Sequence, residues 1–81
     1  MINLTNHVES LESVIERLEQ QIEKLQDKQE AIEEKASDHD RDLTDKEQER
    51  YDNLEEQIEE LQSELSAIED AIDYLRDYAD L

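Results

Sequence analysis

Residues 36–54 read ASDHDRDLTDKEQERYDNL, and within this stretch the apolar rhythm of the chain stops, shifts by one residue and starts again. Upstream, Met1, Val8, Ile15, Ile22, Gln29 and Ala36 recur every seven residues, with Leu4, Leu11, Leu18, Leu25 and Ile32 interleaved. Downstream, Tyr51, Ile58, Leu65, Ile72 and Ala79 form the first series and Leu54, Leu61, Ile68 and Leu75 the second. Spacings of three and four hold such side chains on one narrow helical stripe, the a and d positions of a coiled-coil heptad. A strand would alternate every second residue, and neither ladder does.

Carried forward, the first register would seat His39, Lys46 and Arg50 on the seam; run backward, the second would seat Asp40, Thr44 and Glu47. Only Leu43 suits either. Thr44-Asp45-Lys46-Glu47 also has the form of a capping box, in which the Thr hydroxyl accepts from the Glu amide and the Glu carboxylate accepts from the Thr amide. A fresh helix therefore begins near residue 45, with Asp45, Glu47 and Glu49 suited to the positive end of its dipole. The expected elements are one helix over about 4–36, a turn over about 37–44 and a second helix over about 45–79, in a single unit. No Gly marks the end of the first helix, since the chain has neither Gly nor Pro.

Folding at this turn aligns the ladders antiparallel, with Ile32 opposite Tyr51, Gln29 opposite Leu54, Leu25 opposite Ile58, Leu18 opposite Leu65, Leu11 opposite Ile72 and Val8 opposite Leu75. The fold class is all-α, an antiparallel two-helix coiled-coil hairpin. The rival is one continuous helix in a parallel dimer, which Val or Ile at a with Leu at d favours; the polar interruption and mid-chain cap weigh against it. Gln29, a polar residue at an a position, reads as a device that sets register.

A fainter stripe lies beside the second ladder: Ala67, Ala71, Tyr74 and Tyr78, with Leu81 at its end and Val14 and His7 on the adjoining flank of the first helix. Burying one large apolar side chain contributes about 1.5–3 kcal/mol, against about 1.5 kcal/mol of ordering cost per residue. A lone seam in a strongly charged chain is therefore marginal. A homodimer forming a four-helix bundle through Val14, Ala67, Ala71, Tyr74 and Tyr78 is expected.

Among 81 residues there are 26 acids and eight bases, a net charge of −18, which argues against direct contact with nucleic acid or anionic membranes. No run of the sequence could span a bilayer, and the N-terminus lacks the basic region and apolar run of a secretory leader, so a cytoplasmic location is expected. The absence of Cys excludes disulfides, thiolate metal sites and a cysteine nucleophile. No P-loop, glycine-rich turn, nucleophile elbow or zinc spacing occurs, and two helices offer no dry concave pocket in which paired carboxylates could separate their pKa values. No enzyme activity, metal or cofactor is expected. Asp38, Asp40, Asp42 and Glu49 fall on the spacing of a calcium loop, but Leu43 stands where that loop needs Gly, so the bland reading is a solvated acidic turn. His7 and His39 fall at opposite ends of the hairpin and cannot share a metal or a proton.

The charge is uneven. Between Arg50 and Arg76 no base occurs, and the second helix there carries Glu69 and, as the candidate partner-binding face, Asp52, Glu55, Glu56, Glu59, Glu60, Glu64, Asp70 and Asp73 outside its seam. Such a run is usually a solvated face. It also suits a decoy, a rigid acidic rod occupying a basic groove that normally holds nucleic acid. A rod of about 50 Å carries roughly one net charge per 2.8 Å, between the 1.7 Å of duplex DNA and the 3.4 Å of a single strand. The alternative is a structural, scaffolding or adaptor coiled coil, whose acids keep it soluble and whose apolar stripe recruits a partner helix.

As a short, Cys-free, strongly acidic helical chain, the whole sequence resembles in composition the small phage-encoded inhibitors of host defence, the anti-CRISPR and anti-restriction DNA mimics. The resemblance implies a CRISPR nuclease, restriction enzyme or similar DNA-binding machine as target, met in the host cytoplasm. Leu43-Thr44-Asp45-Lys46-Glu47 with Tyr51-Asp52-Asn53-Leu54 is similar to the start of a scaffolding helix in HK97-type phage capsid subunits, which implies a scaffold role instead.

Overall fold

A computed structural model describes residues 4–79 and contains two helices, α1 (Leu4–Asp38) and α2 (Asp45–Ala79), packed against each other as an antiparallel hairpin. The rod measures 61 × 15 × 14 Å. Among the described residues, every a and d position whose side chain is placed is buried or partly buried, from Val8 to Ala36 and from Tyr51 to Leu75. Outside the ladders only Val14, Leu43 and Glu47 are drawn in from solvent. Met1 and Leu81 lie outside the described residues, as do the side chains of Leu4 and Ala79.

The first helix continues to Asp38, two residues beyond Ala36, and the chain closes it without glycine. The Arg41 amide donates to the Ala36 carbonyl at 3.1 Å and the Asp40 amide to the Ser37 carbonyl at 3.0 Å, the paired bonds of a Schellman motif. Asp40 takes the left-handed position that motif requires, with φ of 50°. Its short polar side chain tolerates that conformation better than most, which explains how a chain lacking Gly turns here.

Entry into α2 follows the capping box. The Glu47 amide donates to Thr44 Oγ1 at 3.1 Å and the Thr44 amide to Glu47 Oε1 at 3.0 Å. Arg41 adds a partner that the box itself does not include: its guanidinium donates to both Glu47 oxygens, at 2.6 and 3.3 Å, and to the Asp42 carbonyl at 3.0 Å. Glu47 occupies a d position one heptad before Leu54, so its carboxylate is buried at the end of the seam yet fully bonded. The Arg41 hydrogen bonds, then those from Thr44, lower its pKa from 4.5 to about 2, and the same carboxylate pushes the Arg41 guanidinium up.

Two outcomes follow from the turn. Replacing Asp40→Gly relieves the left-handed backbone and removes an acid from the negative end of α1, while loosening the unfolded chain; the net gain is roughly 0.5 kcal/mol in urea unfolding, and Asp40→Val reverses its sign. The lowered pKa of Glu47 means that the unfolded state binds the extra proton between about 2 and 4.5, so its contribution is complete above that window and lost on acidification through it. The stability difference between parent and Glu47→Gln therefore shrinks as pH falls from about 5 towards 2; a difference independent of pH would contradict the assignment.

Candidate interaction surface

Antiparallel packing sorts the remaining heptad positions onto two edges of the rod, the e and b positions of both helices on one and the g and c positions on the other. Cross-helix contacts mark the first edge. Gln29, buried at its a position, donates from Nε2 to Glu55 Oε2 at 2.8 Å and to the Tyr51 carbonyl at 3.4 Å, which places it alongside Leu54. Glu33 of α1 acts on Tyr51 across the helices: its carboxylate as hydrogen-bond acceptor, ahead of the surrounding negative charge and partial burial, pushes the hydroxyl above its usual pKa. Near the termini, Arg76 pairs with Glu12 at 2.6 Å, an exposed contact that screening leaves with little energy.

The edge so defined is overwhelmingly acidic. It holds Glu9, Glu12, Glu16, Glu19, Glu23, Glu30 and Glu33 of α1 with Asp52, Glu55, Glu59, Glu69 and Asp73 of α2, and its only base among the described residues is Arg76. Of the acids singled out by sequence, all eight are exposed, but they do not form one surface. Asp52, Glu55, Glu59 and Asp73 belong to the acidic edge, and Glu56 and Asp70 occupy f positions on the adjoining back of α2. Glu60 and Glu64 turn the other way, and Glu60 lines a shallow groove with Lys24 and Lys28. Two of the set already accept bonds within the hairpin, Glu55 from Gln29 and Asp52 from Gln48 at 2.9 Å. The glutamates of α1 are masked in the sequence by the lysines interspersed with them, and only their heptad letters, set beside those of α2, bring them onto this edge.

The opposite edge collects the bases. Arg17, Lys24, Lys28, Lys35, Lys46 and Arg50 all occupy c or g positions, and Arg41 joins Lys35, Lys46 and Arg50 around the groove at the turn. Towards the termini the same edge becomes uncharged and aromatic. Ala67 and Ala71 are exposed, Val14 is partly buried, and Tyr74 and Tyr78 stack with centroids 6.5 Å apart and planes 17° from parallel. The two rings remain 69% and 62% exposed, so the hairpin alone leaves them in water.

Described residues 4–79 carry a net charge of −17, that is, the 26 acids less Asp80 minus eight bases. Over 61 Å this is about one charge per 3.6 Å. The rod is longer than two paired seams alone require, so its density falls from the anticipated 2.8 Å spacing to that of one nucleic acid strand, about 3.4 Å. Among the described residues no three His, Cys, Asp or Glu side chains are grouped to hold a metal, and the acids of the turn are dispersed, with Asp38 ending α1, Asp40 in the cap and Glu49 within α2. No described helix is long and apolar enough to cross a membrane. Compared with protein-family models, curated proteins and solved structures, the chain matches none.

Gln29 is the internal contact most open to test. Gln29→Leu fills the seam opposite Leu54, releases Glu55 to solvent and raises the thermal midpoint, because an apolar a residue is worth more than a buried amide. It also removes the one polar marker of register within the seam, so cysteine pairs engineered across the seam should cross-link in more than one alignment; a single alignment would assign register to the turn alone.

Proposed function

We propose that the chain is a non-enzymatic acidic decoy, which occupies a basic groove of a nucleic-acid-binding protein and acts as a homodimer built as a four-helix bundle. The observation that supports it is the acidic edge: a dozen carboxylates from both helices on one side of a straight rod, at an overall charge spacing close to that of one strand. A mere solubilising charge would be spread around the rod. Here seven of the eight bases sit on the opposite edge or at the turn, which leaves the acidic one almost undiluted.

Carboxylates on a stiff helix meet Arg and Lys of a strand-binding groove by charge-assisted hydrogen bonds, and they free the counterions that the groove would otherwise hold. A phage-type inhibitor of a CRISPR nuclease or restriction enzyme is the biological form of this reading, in keeping with the chain's composition. The target would then be met in the cytoplasm of the host. The second reading, an adaptor coiled coil that recruits a partner helix through apolar contacts, draws on the exposed Tyr74 and Tyr78.

Retention of host proteins on immobilised hairpin, followed by displacement of labelled DNA from each purified protein, separates the two. The decoy competes with DNA, loses affinity steeply as salt rises, and is abolished by the combined charge reversals Asp52→Lys, Glu56→Lys, Glu59→Lys and Asp73→Lys. Salt-tolerant binding that leaves DNA in place and is lost on Tyr74→Glu or Tyr78→Glu would establish the adaptor instead.

A further inference from the structure

We propose that the groove along the d, c and g positions is where a second copy of this chain docks, with its hairpin antiparallel to the first so that the turn end of each rod meets the terminal end of the other. The inference rests on the homodimer reading and adds to it the surface and the direction.

The seam is open on this side. Among described side chains of the two apolar ladders, five of nine a positions are buried but only one of eight d positions, Leu18, so the remaining Leu and Ile side chains at d stay partly exposed. Leu25, Ile32, Leu54 and Leu61 form the floor of the groove between Lys24, Lys28 and Arg50. A second hairpin laid here completes an apolar core of four helices, which the two-helix rod lacks. The opposite edge does not suit a copy, because joining two acidic edges would press a dozen carboxylates against a dozen more.

Charge then selects the direction. A two-fold axis along the rods would bring the turn halves together, with Lys28, Lys35, Lys46 and Arg50 of each chain level with the same cations of its partner. An axis across the rods places α2 against the partner's α2 in reverse. Counted from the middle of α2 at Gln62, Arg50 and Tyr74 are equally distant on opposite sides, as are Lys46 and Tyr78. Each arginine or lysine therefore arrives level with an exposed tyrosine of the other chain, where its charge can rest on the ring. Near the axis, Glu60 and Glu64 meet, and Lys24 and Lys28 of both hairpins stand alongside to offset them. Both acidic edges remain outside.

Since the chain has no cysteine, Asp42→Cys at the exposed turn takes a single spin label. Light scattering gives the mass and electron–electron distance measurement gives the direction. The expected result is a dimer whose labels lie near the 61 Å length of the rod from each other. A dimer with labels within about 20 Å would overturn the antiparallel docking while leaving the homodimer intact, whereas a monomer at all concentrations would remove both. Combined Lys28→Glu and Arg50→Glu should raise the dimer dissociation constant by about tenfold or more with helicity retained, and Glu16→Lys with Glu23→Lys on the acidic edge should not weaken it. The opposite pattern would place the interface elsewhere.

Discussion

The turn that joins the two helices depends on one buried carboxylate. Glu47 sits where the second ladder would place an apolar side chain, and it is tolerable there because Arg41 and Thr44 satisfy both of its oxygens. Removing Arg41 or Thr44 would leave that carboxylate short of partners, so its bonds specify the local geometry of the turn. The same bonds fix the start of α2 relative to the end of α1. That relation, with Gln29 inside the seam, sets which a residue meets which d residue, and with it which charges share an edge.

The fold was legible from two ladders because heptad spacing maps directly onto one helical face, and the capping box marks the second helix start without reference to any distant residue. The end of α1 was less legible. A Schellman turn normally announces itself by glycine, and here Asp40 carries the left-handed backbone instead, so nothing in the residue types marks Asp38 as the helix end. Arg41 was also invisible as a partner of Glu47. Six residues separate them across a turn, and no local spacing rule links a loop guanidinium to the third residue of a helix. The heptad register placed Gln29 opposite Leu54; that its amide would reach Glu55 depends on side-chain direction, which register alone does not give.

Charge shows the same divide between one-dimensional and three-dimensional information. The base-free run in α2 is evident in the sequence, but its eight acids divide between faces of the rod. Within a helix, neighbours in sequence point about 100° apart, so Glu59 and Glu60, or Glu55 and Glu56, cannot serve a single surface equally. The edge that does form borrows seven glutamates from α1, whose overall charge is diluted by lysines that all face elsewhere. Net charge by segment concealed that segregation, because it averages over the very angle that matters.

Segregation has a physical consequence beyond recognition. A uniformly acidic rod of this charge would repel its own copies and have only apolar contacts to oppose that repulsion. Moving the bases to one edge creates a surface on which another chain can settle, and it does so without lowering the charge presented on the other side. The open d positions, the lysines and the stacked tyrosines all occur along that permissive edge, while the polar seam contacts of Gln29 and Tyr51 lie on the acidic one. Thus the acidic edge is tied across the two helices by hydrogen bonds to its own carboxylates, and the basic edge is left unfinished. A rod that must present charge at a fixed spacing needs the first property; one too slender to bury a core alone needs the second.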